Sequence, residues 1–346
     1  MTESVDLVGF ENLRRFCLAT GADFSVMQSR DRTQQYRFHT AGRIWTGPSP
    51  ALRILRTGRF GNNLRQILHA VHVALSIGAH KLYIDEVNVG HVASPWGFCN
   101  LLLVPFPPPQ TEPILTGTFF YRNAFKRLFG KFDGARSLMI VSGVIAPMMV
   151  NRWGLGTANA EDVLHIHIRS GDTFSSKLVH PNYVPPPLAY YLSAVRLFQV
   201  RYRSPKIVIV VEDLLNPCAE RLYRALKYEG LDVVFFCNDF EDTVRELLTA
   251  THLVTSVGLF AAMIALASTH IRSIYGFLEI TDRETFVAKG TDVTLVTDCG
   301  GAYIRPGTWR NSTEQVRQIL EYPAAALGYW QSSPRTSHGG ATSYSP

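Results

Sequence analysis

An α/β protein with parallel sheets is the fold class this sequence predicts, and three observations predict it. Residues 52–84 read as strand, glycine-bearing turn, amphipathic helix and strand. From 163 to 275, short apolar runs alternate with helical stretches of roughly 10–15 residues, the spacing of βαβ units with helices on both sheet faces. The chain has 346 residues, of which 46% are hydrophobic and 18% charged, enough for two cores. That composition excludes collagen, coiled coil and general disorder.

In order along the chain, Val8 to Cys17 is expected as a short helix and Tyr36 to Trp45 as extended chain, followed by the turn cluster Gly47 to Pro50. Leu52 to Arg56 is a strand and Thr57 to Gly61 a turn. The apolar positions Leu64, Ile67, Leu68, Val71, Ala74 and Leu75 form one helix face, with Asn62 or Asn63 as N-cap. Gly78 marks the helix end, and Lys81 to Ile84 is the next strand. Pro105 to Pro109 is a loop, Asn123 to Phe129 has helical spacing, and Leu138 to Val144 reads as a strand. Residues 151–160 read as a linker. Beyond it come strands at Val163 to Ile168, Lys206 to Val211, Asp232 to Cys237, His252 to Thr255 and Ile271 to Tyr275. Between them lie helices at Pro187 to Val200, Pro217 to Glu229, Phe240 to Ala250 and Leu259 to Ala267, the second closed by Gly230. The domains expected are an N-terminal segment 1–45, an acceptor-side Rossmann-like domain 46–155, a donor-binding Rossmann-like domain 156–325 and a disordered tail 326–346.

The net charge of +6 is modest and spread along the chain. It suits an anionic ligand such as a nucleoside diphosphate better than a nucleic acid, which is not expected as a partner. The five cysteines include no C-x-x-C pair, so they are expected as small core residues rather than a disulfide framework or zinc site. Cys237 is placed in a buried strand. The first residues are acidic and lack the basic and apolar regions of a signal peptide. No window approaches 18 unbroken apolar residues, the longest apolar stretch being Leu253 to Ala267, so no membrane span and a cytoplasmic location are expected.

Three clusters sit where open parallel sheets bind ligands, beyond the carboxyl ends of strands. Arg59-Phe-Gly-Asn-Asn63 lies between a strand and a helix N-terminus, where unpaired N–H groups and the helix dipole favour an anion, and Gly58 and Gly61 permit close approach. An ordinary βα turn with a capping Asn gives the same pattern. In His167-Ile-Arg-Ser-Gly-Asp172, an Arg at a strand end can grip a diphosphate with a planar fork of donors. Strand alternation puts His165, His167 and Arg169 on one face. That is costly unless the face lines a polar cleft, or the histidines are satisfied structurally or hold a metal, for which no third ligand is evident. In Thr255-Ser-Val-Gly-Leu-Phe260, the Ser256 hydroxyl and the N–H groups of Gly258, Leu259 and Phe260 can bind phosphate oxygens, or Ser256 can simply cap the helix.

Together these segments resemble the motifs of the fucosyltransferase superfamily, across roughly residues 52–275. Arg59 to Asn63 resembles the G-R-[FL]-G-N-Q loop of alpha-1,2-fucosyltransferases and protein O-fucosyltransferases, with Asn63 in place of Gln. His167 to Asp172 resembles H-x-R-x-G-D, and Thr255 to Phe260 the Ser/Thr-rich third motif, here with Val-Gly-Leu. The resemblance implies a GT-B-like fold, two Rossmann-like domains with parallel sheets facing across a cleft. It implies inverting transfer of fucose from GDP-fucose, the donor substrate, to a glycan or protein hydroxyl, with no cofactor. His167, Arg169 and Asp172 are then the candidate catalytic residues, with Arg169 on the β-phosphate. Arg59, Gly61, Asn62, Asn63, Arg169, Ser256, Gly258, Leu259 and Phe260 bind the donor, and the Arg59 loop closes over it.

A fixed guanidinium aimed at the departing diphosphate lowers the barrier without a metal. The Asp-x-Asp triplet usual in metal-dependent transferases does not occur, the nearest runs being Asp239-Phe-Glu241 and Asp282-Arg-Glu284, so no metal site is expected. Glu212, Asp213 and Asp239, at strand ends, can receive guanine's N1–H and amine, or serve as helix caps and first-turn acids. The acceptor is expected near Asp85 to His91 and Gly117 to Lys126, and the general base among Asp172, Asp85 and Glu86. The alternatives are transfer from another nucleotide sugar and nucleotide binding without catalysis. A dehydrogenase is disfavoured because no strand–helix turn reads G-x-G-x-x-G.

Overall fold

The computed structural model describes residues 36–39, 51–54, 59–76, 78–84, 95–105, 114–117, 119, 133–175, 179–280 and 282–332. The expectations for 8–17, 40–50, 85–91 and 123–129, and with them Asp85, Glu86 and Cys17, lie outside the described residues. The chain is mixed α/β with parallel-rich sheets, and it divides into two compact units, Met1–Arg152 and Trp153–Pro346.

The first unit contains β1 (Tyr36–His39), β2 (Ala51–Ile54), α1 (Phe60–Ser76), β3 (Lys81–Ile84), β4 (Trp96–Phe98), β5 (Leu101–Pro105), β6 (Ile114–Gly117) and the long helix α2 (Gly134–Trp153), whose last residue, Trp153, falls in the second unit. Its sheet order is β1-β6-β2-β3-β5-β4, parallel from β6 to β5 and closed by an antiparallel strand at each edge. α1 starts two residues before the expected Asn62. Phe60 belongs to the same buried stripe as Leu64, Ile67 and Val71, so its burial draws the first turn into the helix. Neither Asn62 nor Asn63 is the cap. Asn63 is buried inside the helix, its backbone N–H donates to the Arg59 carbonyl at 3.0 Å, and its side chain accepts from Gln66 at 3.4 Å.

Leu138 to Val144 is helix, not strand. Asp133 caps it, its carboxylate accepting the Arg136 N–H at 2.6 Å, and the helix runs on through a π turn at Val141–Ile145. Pro147 explains the π turn: its ring displaces the carbonyl four residues back, and the wider turn absorbs the displacement. The linker expected at 151–160 therefore begins only after Trp153. By length and composition Gly134–Trp153 could cross a membrane, as can many core helices. Here it packs against α1 and buries Ile140, Val144 and Met148.

The second unit contains β7 (Val163–Ile168), a single helical turn α3 (Asp172–Ser175), α4 (Leu188–Arg201), β8 (Lys206–Val211), α5 (Pro217–Tyr228), β9 (Asp232–Phe236), α6 (Phe240–Thr249), β10 (His252–Val254), α7 (Phe260–Ala267), β11 (Ser273–Phe277), α8 (Arg283–Ala288), β12 (Asp292–Asp298), α9 (Thr313–Glu321) and β13 (Leu327–Ser332). Strand order is β13-β12-β11-β10-β7-β8-β9. Counted from β7, the six parallel strands run 3-2-1-4-5-6, the order of a doubly wound Rossmann sheet. Leu164, Ile166 and Ile168 face a core shared with α4, α5 and α9, while the opposite face carries α6 and α7. Burying each such aliphatic side chain contributes about 1.5–3 kcal/mol.

Two expectations change here. Within the tail expected from 326, Leu327–Ser332 is ordered as β13, paired antiparallel with β12 along its whole length, and residues 333–346 lie outside the described residues. β9 lies at the sheet edge and is only partly buried, so Cys237 just beyond it is exposed; of the described cysteines only Cys218 is in the core.

Candidate functional site

In the second unit the chain leaves β7 towards β8 on one side and, later, leaves β10 towards β11 on the other. β7 and β10 are neighbours, so the topological switch point lies between their carboxyl ends. The two segments that follow these strands are Arg169–Asp172 and Thr255–Leu259, and the structure brings them together. Gly258 has φ +102, and a Cβ there would collide with Nη1 of Arg169.

Arg169 is held on three sides. Its Nη2 donates to both carboxylate oxygens of Asp172, at 3.0 and 3.3 Å, and its guanidinium lies over the Tyr183 ring, 4.3 Å from the centroid. Gly258 forms the third side. His180 stacks on Tyr183 in turn, with ring centroids 4.5 Å apart. Such a cation–π contact adds about 0.5–2 kcal/mol and fixes the guanidinium plane. With Nη2 committed to Asp172, the other edge of the fork lies against the start of α7.

The start of that helix has no side-chain cap of its own, Leu259 occupying the cap position. Ser256 is not the cap: its Oγ accepts from the Tyr191 hydroxyl at 3.2 Å. Tyr190 Oη lies 2.9 Å from the Thr255 carbonyl and 3.0 Å from that of Tyr275, and Thr255 Oγ1 donates to Tyr275 O at 3.0 Å. Two adjacent tyrosines of α4 thus secure the turn from below, through the Thr255 carbonyl and the Ser256 hydroxyl, at the end where the dipole of α7 is positive.

The carboxylates expected at the base are used inside the fold. Asp213 accepts from the Ser170 hydroxyl, from Gly171 N at 3.1 Å and from Leu215 N at 2.9 Å. Asn216 donates to the Arg169 carbonyl at 2.8 Å. These bonds shape the turn that carries Arg169. Glu212 packs against Gly171, where a Cβ would collide with its carboxylate. Asp239 caps α6, accepting Asp242 N at 2.9 Å.

The histidines of β7 lie under α6 and α7, so their face is a covered layer rather than an open polar cleft. His165 is satisfied there, its Nε2 lying 2.8 Å from Glu246 Oε1. That hydrogen bond holds the Glu246 carboxyl below its ordinary range. His167 packs against the Phe260 ring at 5.5 Å, and its Nδ1 is buried with no hydrogen-bond partner. Burial, aided by Arg169, lowers its pKa to about 3, so at neutral pH it is uncharged.

Arg59, Gly61, Asn62 and Asn63 belong to the first unit, at the start of α1, with Arg59 exposed just before the helix. Among the described residues no group of three or more His, Cys, Asp or Glu side chains is placed to hold a metal ion. Tyr183, Tyr190, Tyr191 and Asn216 were missed from sequence. No motif marks them, and their partners lie up to 85 residues away. No protein-family model, curated protein or solved structure matches this chain.

Proposed function

We propose that this chain is a glycosyltransferase that moves a sugar from a nucleoside diphosphate donor, fucose from GDP-fucose, to an acceptor hydroxyl on a glycan or protein. One observation carries the reading: Arg169 and the uncapped start of α7 converge at the switch point, with only a glycine between them. Cleavage of a glycosyl–phosphate bond builds negative charge on the leaving oxygen. A guanidinium held by Asp172 and Tyr183, together with helix N–H groups, is preorganised to receive that charge. Asp172 serves as the positioning residue of Arg169, and His167 as an uncharged wall of the site. The two units act as the two Rossmann-like domains of a GT-B enzyme, and transfer is inverting and metal-independent.

The test is a donor panel with detection of released nucleotide and product, run on the wild type, Arg169→Ala and Arg169→Lys with and without EDTA. Arg169→Ala should cost at least about 100-fold in turnover, and Arg169→Lys should recover only part, because a point charge replaces a planar fork. EDTA should leave turnover intact. Activity of Arg169→Ala within about tenfold of wild type would remove Arg169 from this role. Binding of GDP with no transfer from any donor would leave only a nucleotide-binding protein.

A further inference from the structure

The grip at Arg169 concerns the phosphates, and the nucleoside end of such a ligand needs its own support. Asp213 and Asp239 are occupied in holding a turn and capping a helix. Beside the phosphate site there is instead a run of aromatic rings. Phe260, the first residue of α7, lies 5.5 Å from the His167 ring on one side and 5.9 Å from the Phe240 ring on the other. Phe240 is braced edge-on by Trp153, with ring centroids 6.4 Å apart at 74°, and the Trp153 indole N–H donates to the neighbouring Glu241. These contacts orient the ring, and the residue as a whole is 41% exposed.

Phe240 also stands in the right part of the fold. It opens α6 immediately after β9, on the carboxyl edge of the sheet, and α6 packs against α7. One residue, Phe260, therefore contributes both to the helix start offered to phosphate and to the ring contact with Phe240. An oriented, half-exposed aromatic one ring away from an anion site matches the two ends of a nucleotide, a flat heterocycle and a charged tail.

We propose that Phe240 is the stacking surface for the nucleobase of a nucleoside diphosphate whose phosphates lie at Arg169 and the start of α7. The inference rests on the reading of that site as a diphosphate grip. It assigns base recognition to an aromatic face rather than to the strand-end carboxylates. Stacking tolerates any base, so the ring supplies affinity while base choice falls to the groups around its rim.

The experiment titrates the full chain with GDP and with inorganic pyrophosphate by calorimetry, for the wild type, Phe240→Ala, Phe240→Leu, Phe240→Trp and Arg169→Ala, each checked by a thermal melt. Phe240→Ala should weaken GDP about 10- to 100-fold and leave pyrophosphate within about twofold. Phe240→Trp should restore GDP affinity and Phe240→Leu should not, since leucine keeps the apolar bulk without the π face. Unchanged GDP affinity in Phe240→Ala, or equal losses for GDP and pyrophosphate, would overturn the stacking role alone. Pyrophosphate binding that ignores Arg169→Ala would strike the diphosphate grip instead. A wild type that binds neither ligand would overturn both.

Discussion

At Gly258 the backbone and a neighbouring side chain each demand glycine. The φ of +102 is a region that L side chains rarely adopt, and Arg169 Nη1 fills the space a Cβ would need. Gly290 separates the two effects, because its φ is +83 but nothing lies within 4 Å of its Cβ position. Gly290→Ala should cost only backbone strain, about 1–2 kcal/mol, and leave ligand binding alone. Gly258→Ala should carry a similar strain and also displace Arg169, weakening pyrophosphate at least about tenfold, some 1.4 kcal/mol. Calorimetry on both variants checks this, and equal affinities would mean that Gly258 serves the fold only. At this scale the sequence shows residue types and not partners. Arg169 and Gly258 are visible as a strand-end arginine and a turn glycine, but their contact spans 89 positions and nothing local encodes it. Asp213 likewise reads as a free strand-end acid until Ser170 and Gly171 are seen to donate to it.

Among elements, those with strong local signals were legible. β7, β8, α5 and α6 fall within one or two residues of their expected spans, because apolar runs, the Asp239 cap and Gly230 at φ +79 act locally. α2 was misread because its β-branched, apolar middle imitates a strand, while the Asp133 cap and the helix-to-π adjustment before Pro147 outweigh that propensity. β13 was missed because a Gly/Ser-rich continuation hid a strand that exists only by pairing with β12. It matters to the sheet: Leu327 is buried and Trp330 takes the Arg283 guanidinium over its ring at 4.5 Å. Ending the chain after Ala326 should therefore bare the β12 edge and lower the melting temperature by about 5 °C or more. An unchanged melt would show that β13 adds nothing to stability.

For the whole molecule, acid should act through histidines buried uncharged. His252 is 1% exposed, with Nδ1 2.7 Å from Ser273 Oγ, and burial next to Arg201 lowers its pKa to about 4; that of His167 is about 3. A histidine whose pKa is lower folded than unfolded takes up its proton first in the unfolded chain. Stability is then complete above about pH 6.5 and falls as the pH drops toward 4, by about 1.4 kcal/mol per pH unit for each such histidine. Urea unfolding between pH 7 and 5 should show this slope, and His252→Asn should remove one proton's worth of it. A flat profile from the wild type would mean that both rings take up protons alike in the folded and the unfolded chain.

By itself the sequence determined the α/β class, most strands and helices of the second unit, and the residue types placed at strand ends. These follow from periodicity, caps and glycines, which act over a few neighbouring residues. Only the tertiary structure decided that the sheet runs 3-2-1-4-5-6, that β7 and β10 are therefore neighbours, and that Arg169 meets Gly258 between them. Strand order comes from which apolar faces are buried together across tens of residues, a long-range choice that local spacing does not carry.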